Sequence, residues 1–247
     1  MKESNKFLRY PHKVVGVSFL LRYNSGAMTY KELEKYLESN ANKKFADFSK
    51  TVSNSEYLVF GVKNPVLRQI VKEHVKDEKL ALEDFKTGKY LEIDFIYFGL
   101  ALSRCKNIDE QLEFLKENIK KAKSWAITDT ASTFLKKLTF DKYWSFFLKL
   151  VKSPFTYDRR MAYVVGLKLA KDENILDVTK YIQKDDEYMV MMAEAWLLAT
   201  VAIYYPNEVY NYLKDLDDLT LKRKTISKMV DSFRIDESTK ERFKGLK

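Results

Sequence analysis

The sequence predicts an all-α chain, an α-solenoid of HEAT-like antiparallel helix pairs with a concave basic groove. Three observations lead there. Only 7 glycines and 4 prolines punctuate 247 residues, too few for the many tight turns of a sandwich or barrel. Apolar residues recur three and four positions apart in LEKYLE, VLRQIVKEHV, FIYFGLAL, LEFLKENI and FFLKLV, the period of amphipathic helices. Helix pairs return at intervals of about 35–40 residues, near the length of a HEAT-type repeat. Stacked helix pairs curve and offer a concave face, and 44 Lys and Arg against 35 Asp and Glu, a formal charge of +9, make a basic one.

Taken in order, residues 1–27 read as an N-terminal extension. They contain an eight-residue apolar run, Val14–Leu21, too short for a membrane span and followed by no A-x-A-like cleavage site. Residues 28–247 read as one domain. MTYKELEKYLESN opens an amphipathic helix at Met28, which is also a possible native start. Breaks then fall at SNSEY (Ser53–Tyr57), KNP (Lys63–Pro65), KTGK (Lys86–Lys89), KNID (Lys106–Asp109), KSPFTYD (Lys152–Asp158), KDEN (Lys171–Asn174), KDDE (Lys184–Glu187) and YPNE (Tyr205–Glu208). Between them lie roughly a dozen helices, mostly about 10–18 residues long, with short connections. Asn64 before Pro65 has the chemistry of an N-cap with proline at N1. Pro206 starts another helix, and Thr220 starts a basic one. No linker or low-complexity tract divides the chain.

The charge excess points to a polyanionic partner without choosing among nucleic acid, anionic membrane and acidic protein. The single Cys105 excludes an internal disulfide and suits a reducing, cytoplasmic interior; in ALSRC it reads as a small core residue. His12 and His74 have no carboxylate or cysteine at ligand spacing, so neither a metal site nor another cofactor is expected. Phosphate-cradling glycine loops and a G-x-S-x-G elbow are absent from the sequence. An enzyme built from this chain works with Asp, Glu, Arg, aromatics and water.

One stretch stands out, KSWAITDTAS from Lys123 to Ser132, where Trp125 and Asp129 are four residues apart and share a helix face. Alone, each has a plainer reading: a helical Trp usually packs in a core, and an Asp in a first turn decorates a helix. Arg159-Arg160 reads as a solvated pair at a helix start, although cations there oppose the helix dipole.

GVKNPVLRQIVKEH (Gly61–His74), KSWAITDT (Lys123–Thr130), YDRRMAYVVGLKL (Tyr157–Leu169) and EYMVMMAEAWLLATVAIYYP (Glu187–Pro206), in that order, resemble the DNA alkylation repair proteins of the AlkD type. These are HEAT-like helical DNA glycosylases, and the resemblance runs from about Ala46 to Arg234. It implies a monofunctional enzyme that excises cationic purines such as 3-methyladenine and 7-methylguanine from duplex DNA. The implied catalytic residues are Trp125, Asp129, Arg160 and Trp196, with Arg160 holding a phosphate beside the lesion. Phe48, in ADFSK, is the nearest match to a lesion-facing aromatic. The C-terminal cluster LKRKTISK supplies phosphate-binding candidates Lys222, Arg223 and Lys228, joined by Arg68 and Arg159. No lysine is indicated as a Schiff-base nucleophile, so no lyase step is expected. A monomer suffices, because one groove around one duplex needs no second copy.

The chemistry suits these residue types. An alkylated purine cation is already a good leaving group, and a fixed carboxylate stabilises the oxocarbenium-like sugar left behind. Indole faces favour cations. Glu194, two residues before Trp196, is unexpected: on the groove side it repels phosphate, on the other side it does not. The competing readings are a non-catalytic HEAT-like module binding distorted or branched DNA, and a scaffold for an acidic protein partner.

Overall fold

A computed structural model of the chain describes residues 27–53 and 56–246. The extension before Met28, with Val14–Leu21 and His12, therefore lies outside the described residues. Among those described, no β-strand occurs; one isolated bridge joins Leu58 to Tyr90.

Twelve α-helices make up the described chain: α1 Tyr30–Ser39, α2 Lys43–Ser53, α3 Asn64–His74, α4 Leu91–Arg104, α5 Ile108–Asn118, α6 Trp125–Thr133, α7 Phe140–Leu150, α8 Thr156–Gly166, α9 Tyr188–Val201, α10 Pro206–Asp215, α11 Leu219–Val230 and α12 Glu237–Lys244. They run 8–14 residues, shorter than the sequence suggested. Short 3₁₀ segments, including Glu173–Lys180 between α8 and α9, complete the connections.

The helices form a solenoid-type series. Helix α4 packs on α6, α6 on α8, α8 on α9, and α9 on α11, while α5 packs on α7 outside that row. The five helices of the row begin at Leu91, Trp125, Thr156, Tyr188 and Leu219, so successive starts are 34, 31, 32 and 31 residues apart. The repeat is thus slightly tighter than the 35–40 residues expected. Helices α4 and α9 are apolar on nearly every side, as members covered on both flanks should be.

Polar groups buried at the helix ends lock the connections. Arg104, closing α4, donates to the carbonyls of His74, Val75, Asp77 and Leu80 at 2.9–3.2 Å, where a cation also complements the helix C-terminus. Glu92, at the other end, accepts from the backbone N–H groups of Phe60, Gly61 and Val62 at 2.8–3.2 Å. Gly61 has φ +86°, and a Cβ there would lie 2.2 Å from the Asn42 carbonyl oxygen. Buried Gln111 donates to the carbonyls of Leu102 and Phe134 and accepts from Lys136 N–H, so one amide ties α4, α5 and the exit of α6 together.

Several local expectations change. The N-cap of α3 is Lys63, and Asn64 makes no capping bond because the helix starts one residue earlier. Helix α11 starts at Leu219, capped by Asp218, whose carboxylate accepts from Thr220 and Leu221 N–H. Cys105 is the partly exposed C-cap of α4 rather than a core residue, its thiol donating to Ala101 O. Helix α10 does begin at Pro206.

Candidate active site

Helix α6 opens with Ser124, whose hydroxyl accepts from Ala126 N–H at 3.2 Å. That cap fixes the register, and Ile127, Thr128, Thr130 and Ala131 turn inward. Trp125, Asp129 and Thr133, spaced one turn apart, then line one side of the helix. Trp125 and Asp129 are both partly buried.

Asp129 is held by Arg160 of α8. Nη2 donates to Oδ1 at 2.8 Å and to Oδ2 at 2.9 Å, and Nε lies 3.1 Å from Oδ1. Nε also donates to the Thr128 hydroxyl at 3.1 Å, and Nη1 to the Met189 carbonyl in the first turn of α9 at 2.6 Å. The Thr128 hydroxyl in turn donates to Trp125 O at 2.8 Å. The arginine side chain is only 5% exposed. Its cluster answers the objection that a cation near a helix start opposes the dipole: two acids, Asp129 and Asp185, hold the Arg160 and Arg159 pair there. Burial pushes the Asp129 carboxyl above its ordinary range, while Arg160, the Thr128 hydroxyl and the Lys228 ammonium oppose that rise.

Arg160 is thus bound within the protein on every arm of its guanidinium. Its guanidinium is engaged by three partners inside the protein, among them Asp129, whose carboxylate it holds in place.

On the far side of the cluster, Trp196 of α9 is 37% exposed. The Lys228 ammonium of α11 stands over its ring, 6.0 Å from the centroid. Burial and the neighbouring Arg160 lower the Lys228 pKa, and Asp129 counters. Lys228 thus lies in the electrostatic field of both members of the ion pair. Earlier on the same two helices Lys224 stands over exposed Tyr188, 5.5 Å from its centroid. The pairings advance in the same direction along both helices, so α9 and α11 run in the same sense.

The other candidates separate. Arg68 of α3 is exposed and donates to the Thr133 hydroxyl at 3.0 Å, packing over Phe95 and Phe134; it joins the Trp125–Asp129–Thr133 row at its far end. Arg223 is exposed on α11. Lys222 is not placed with them: it is 8% exposed and its ammonium donates to Lys214 O, a packing role. Arg159 leaves α8 about 100° round from Arg160, where Nε and Nη2 grip Asp185 at 2.7 and 3.1 Å and Nη1 donates to Ser153 O. Phe48 is exposed on α2, the helix whose last residue, Ser53, accepts from the Ser124 hydroxyl beside Trp125.

Glu194 faces away from Trp196. It is 2% exposed and bonded to the Tyr163 hydroxyl, beside the Arg159–Asp185 pair. Burial pushes its pKa to about 8, so near neutral pH it is largely uncharged and presents no anion to the Asp129 side.

Sequence reasoning missed Thr128, the Met189 carbonyl and the Lys224–Tyr188 pair. The hydroxyl adjoining Asp129 was a readable signal; a backbone carbonyl contributed by α9 was not.

Comparison with known proteins agrees with the architecture. A family model described as DNA alkylation repair enzyme matches residues 31–230. A solved structure of a predicted DNA alkylation repair enzyme from Enterococcus faecalis is similar over 78% of this chain and 98% of that one, with 20% identity and a TM-score of 0.64. No curated protein sequence matches significantly. Among the described residues, no helix is long and apolar enough to cross a membrane. Since the family match spans 200 residues and covers every helix of the ion-paired cluster, the chain belongs to the DNA alkylation repair enzyme family.

Proposed function

We propose that the chain is a monofunctional DNA glycosylase that hydrolyses the N-glycosidic bond of cationic alkylated purines, such as 3-methyladenine and 7-methylguanine, in duplex DNA. One observation carries the reading: a partly buried carboxylate, Asp129, is clamped by buried Arg160 between helices that also present Trp125 and Trp196. A positively charged base needs no strong acid to leave. Asp129 stabilises the oxocarbenium-like charge that grows on the sugar and orients the attacking water. Trp125 and Trp196 offer π faces to the cationic base and sugar. Arg160 keeps the carboxylate aimed through bidentate hydrogen bonds.

Phosphate binding falls to Arg68 and Arg223, both exposed, and to half-buried Lys228, with exposed Phe48 as the lesion-facing aromatic. These contacts give affinity and salt dependence without reading sequence. Every proposed catalytic group comes from one chain, which is consistent with a monomer. The reaction calls for neither metal nor cofactor, and the single cysteine suits a cytoplasmic setting.

The test is release of 3-methyladenine and 7-methylguanine from methylated duplex DNA. The native protein should release both, and Asp129→Asn should lower the rate about 10²–10³-fold. A buried Arg–Asp pair is also what a purely structural salt bridge looks like, in a module that binds distorted DNA without cleaving it. That second reading predicts salt-sensitive DNA binding with no base released. Absence of release by the native protein, or an undiminished Asp129→Asn variant, sinks the glycosylase reading.

A further inference from the structure

Lys228 stands over the face of the Trp196 ring. Its ammonium is 6.0 Å from the centroid of the Trp196 ring. It also lies in the field of Asp129 and Arg160. An aromatic face opposed by a carboxylate is a recognised cation receptor, and one such pair holds one cation well. Two cations in that space repel, and the loss is greater because the surroundings are partly desolvated.

We propose that in the DNA-free protein the Lys228 ammonium occupies a cation subsite between the Trp196 ring and the Asp129 carboxylate, from which a cationic nucleobase or sugar must displace it. Lys228 is then the residue that moderates the site's preference for positive charge. The flexible four-carbon stem lets the ammonium leave Trp196, and a DNA phosphate offers it a new partner. A neutral ligand does not call on the cation face and leaves the ammonium in place, so the cost of exchange falls on the charged lesion alone and lowers the native preference for it. The Lys224–Tyr188 pair puts another lysine over a ring, 5.5 Å from its centroid, earlier on the two helices and serves as an internal control.

The inference rests on the proposed function for its biological meaning, and its test does not require catalysis. Two duplexes are compared by fluorescence anisotropy, one with a neutral tetrahydrofuran abasic analogue and one with a cationic pyrrolidine analogue. The readout is the ratio of the two dissociation constants. Any weakening of phosphate binding that is common to both duplexes cancels in that ratio, as does any inactive protein. Lys228→Met should raise the preference for the cationic duplex about 3- to 10-fold, the range that a cation–π interaction of ordinary strength supports. Lys228→Gln should do the same, which covers a poorly folding Met variant, and Lys228→Arg should keep the native ratio. Lys224→Met should leave the ratio unchanged, and in a Trp196→Ala background Lys228→Met should lose its effect.

An unchanged or lower ratio in Lys228→Met overturns the proposal. So does an equal rise in Lys224→Met, or a rise that persists without Trp196, because either would reduce the effect to net charge. Base release is scored separately: no release with the expected ratios refutes the glycosylase reading alone, and release with unchanged ratios refutes the subsite alone.

Discussion

Replacing Arg160 with lysine keeps the positive charge and removes the planar fork. In the native protein that fork reaches both oxygens of Asp129, the Thr128 hydroxyl and the Met189 carbonyl, joining α6, α8 and α9. A lysine ammonium keeps one bond to the carboxylate and cannot hold the other partners in the same geometry. Loss of the bidentate, charge-assisted bond costs about 1.5–3 kcal/mol, and leaving the Met189 carbonyl without its donor costs about 1–3 kcal/mol. Together about 3–5 kcal/mol is expected, the range seen when a buried ion pair loses one partner. For a chain of this size each kcal/mol lowers the melting temperature by about 2–4 °C, so Arg160→Lys should melt about 6–20 °C below the native protein. Urea unfolding at pH 7.5, with the slope checked for constancy, measures the loss directly. Base release should fall about 10²-fold even where the variant is folded, because a carboxylate displaced by about 1 Å is misaimed. If Arg160→Lys unfolds within about 1 kcal/mol of the native protein, the claim that Arg160 organises Asp129 fails.

The remaining predictions follow from the same interactions. Base release should fall on the acid side at a pH above the ordinary aspartate value of about 3.9, because burial raises the Asp129 pKa and only the ionised form acts; a pH–rate profile with its acid limb at or below that value removes Asp129 as the group responsible. Glu194→Gln should be stabilising in alkali: the native carboxyl, with its pKa raised from 4.5 to about 8, favours folding below the unfolded value and loses that contribution as pH climbs towards 8. The gain is bounded at about 5 kcal/mol above pH 8 and should vanish near pH 4, which paired urea curves at the two pH values will show. Gly61→Ala should lose at least about 3 kcal/mol, since its φ of +86° is strained for alanine and its Cβ would clash with the Asn42 carbonyl; a urea midpoint near the native one contradicts the loop geometry.

Much of this protein was legible in one dimension. Helical periodicity and the shortage of glycine and proline identify an all-α chain because both are properties of local sequence. The i to i+4 relation of Trp125 and Asp129 is likewise local, and α6 honours it. The order of four segments pointed to the family to which the chain belongs. Cap positions slipped by a residue at α3 and α11, since neighbouring polar residues compete for one terminus on small energy differences.

What the sequence could not decide is which partner each charge would find. Arg159 and Arg160 are adjacent, yet about 100° of helical rotation sends one to Asp185 and the other to Asp129. Lys222 and Lys228 lie in one basic run, yet one is buried against Lys214 O and the other stands over Trp196. Glu194 and Trp196 are two residues apart and face opposite sides of α9. The sequence by itself determined the helices, the family and the reactive types on α6. Only the packing of α8 on α6, with α9 and α11 next in the row, decided that Asp129 is a clamped, partly buried carboxylate, because burial and ion pairing depend on residues 31 and 99 positions away.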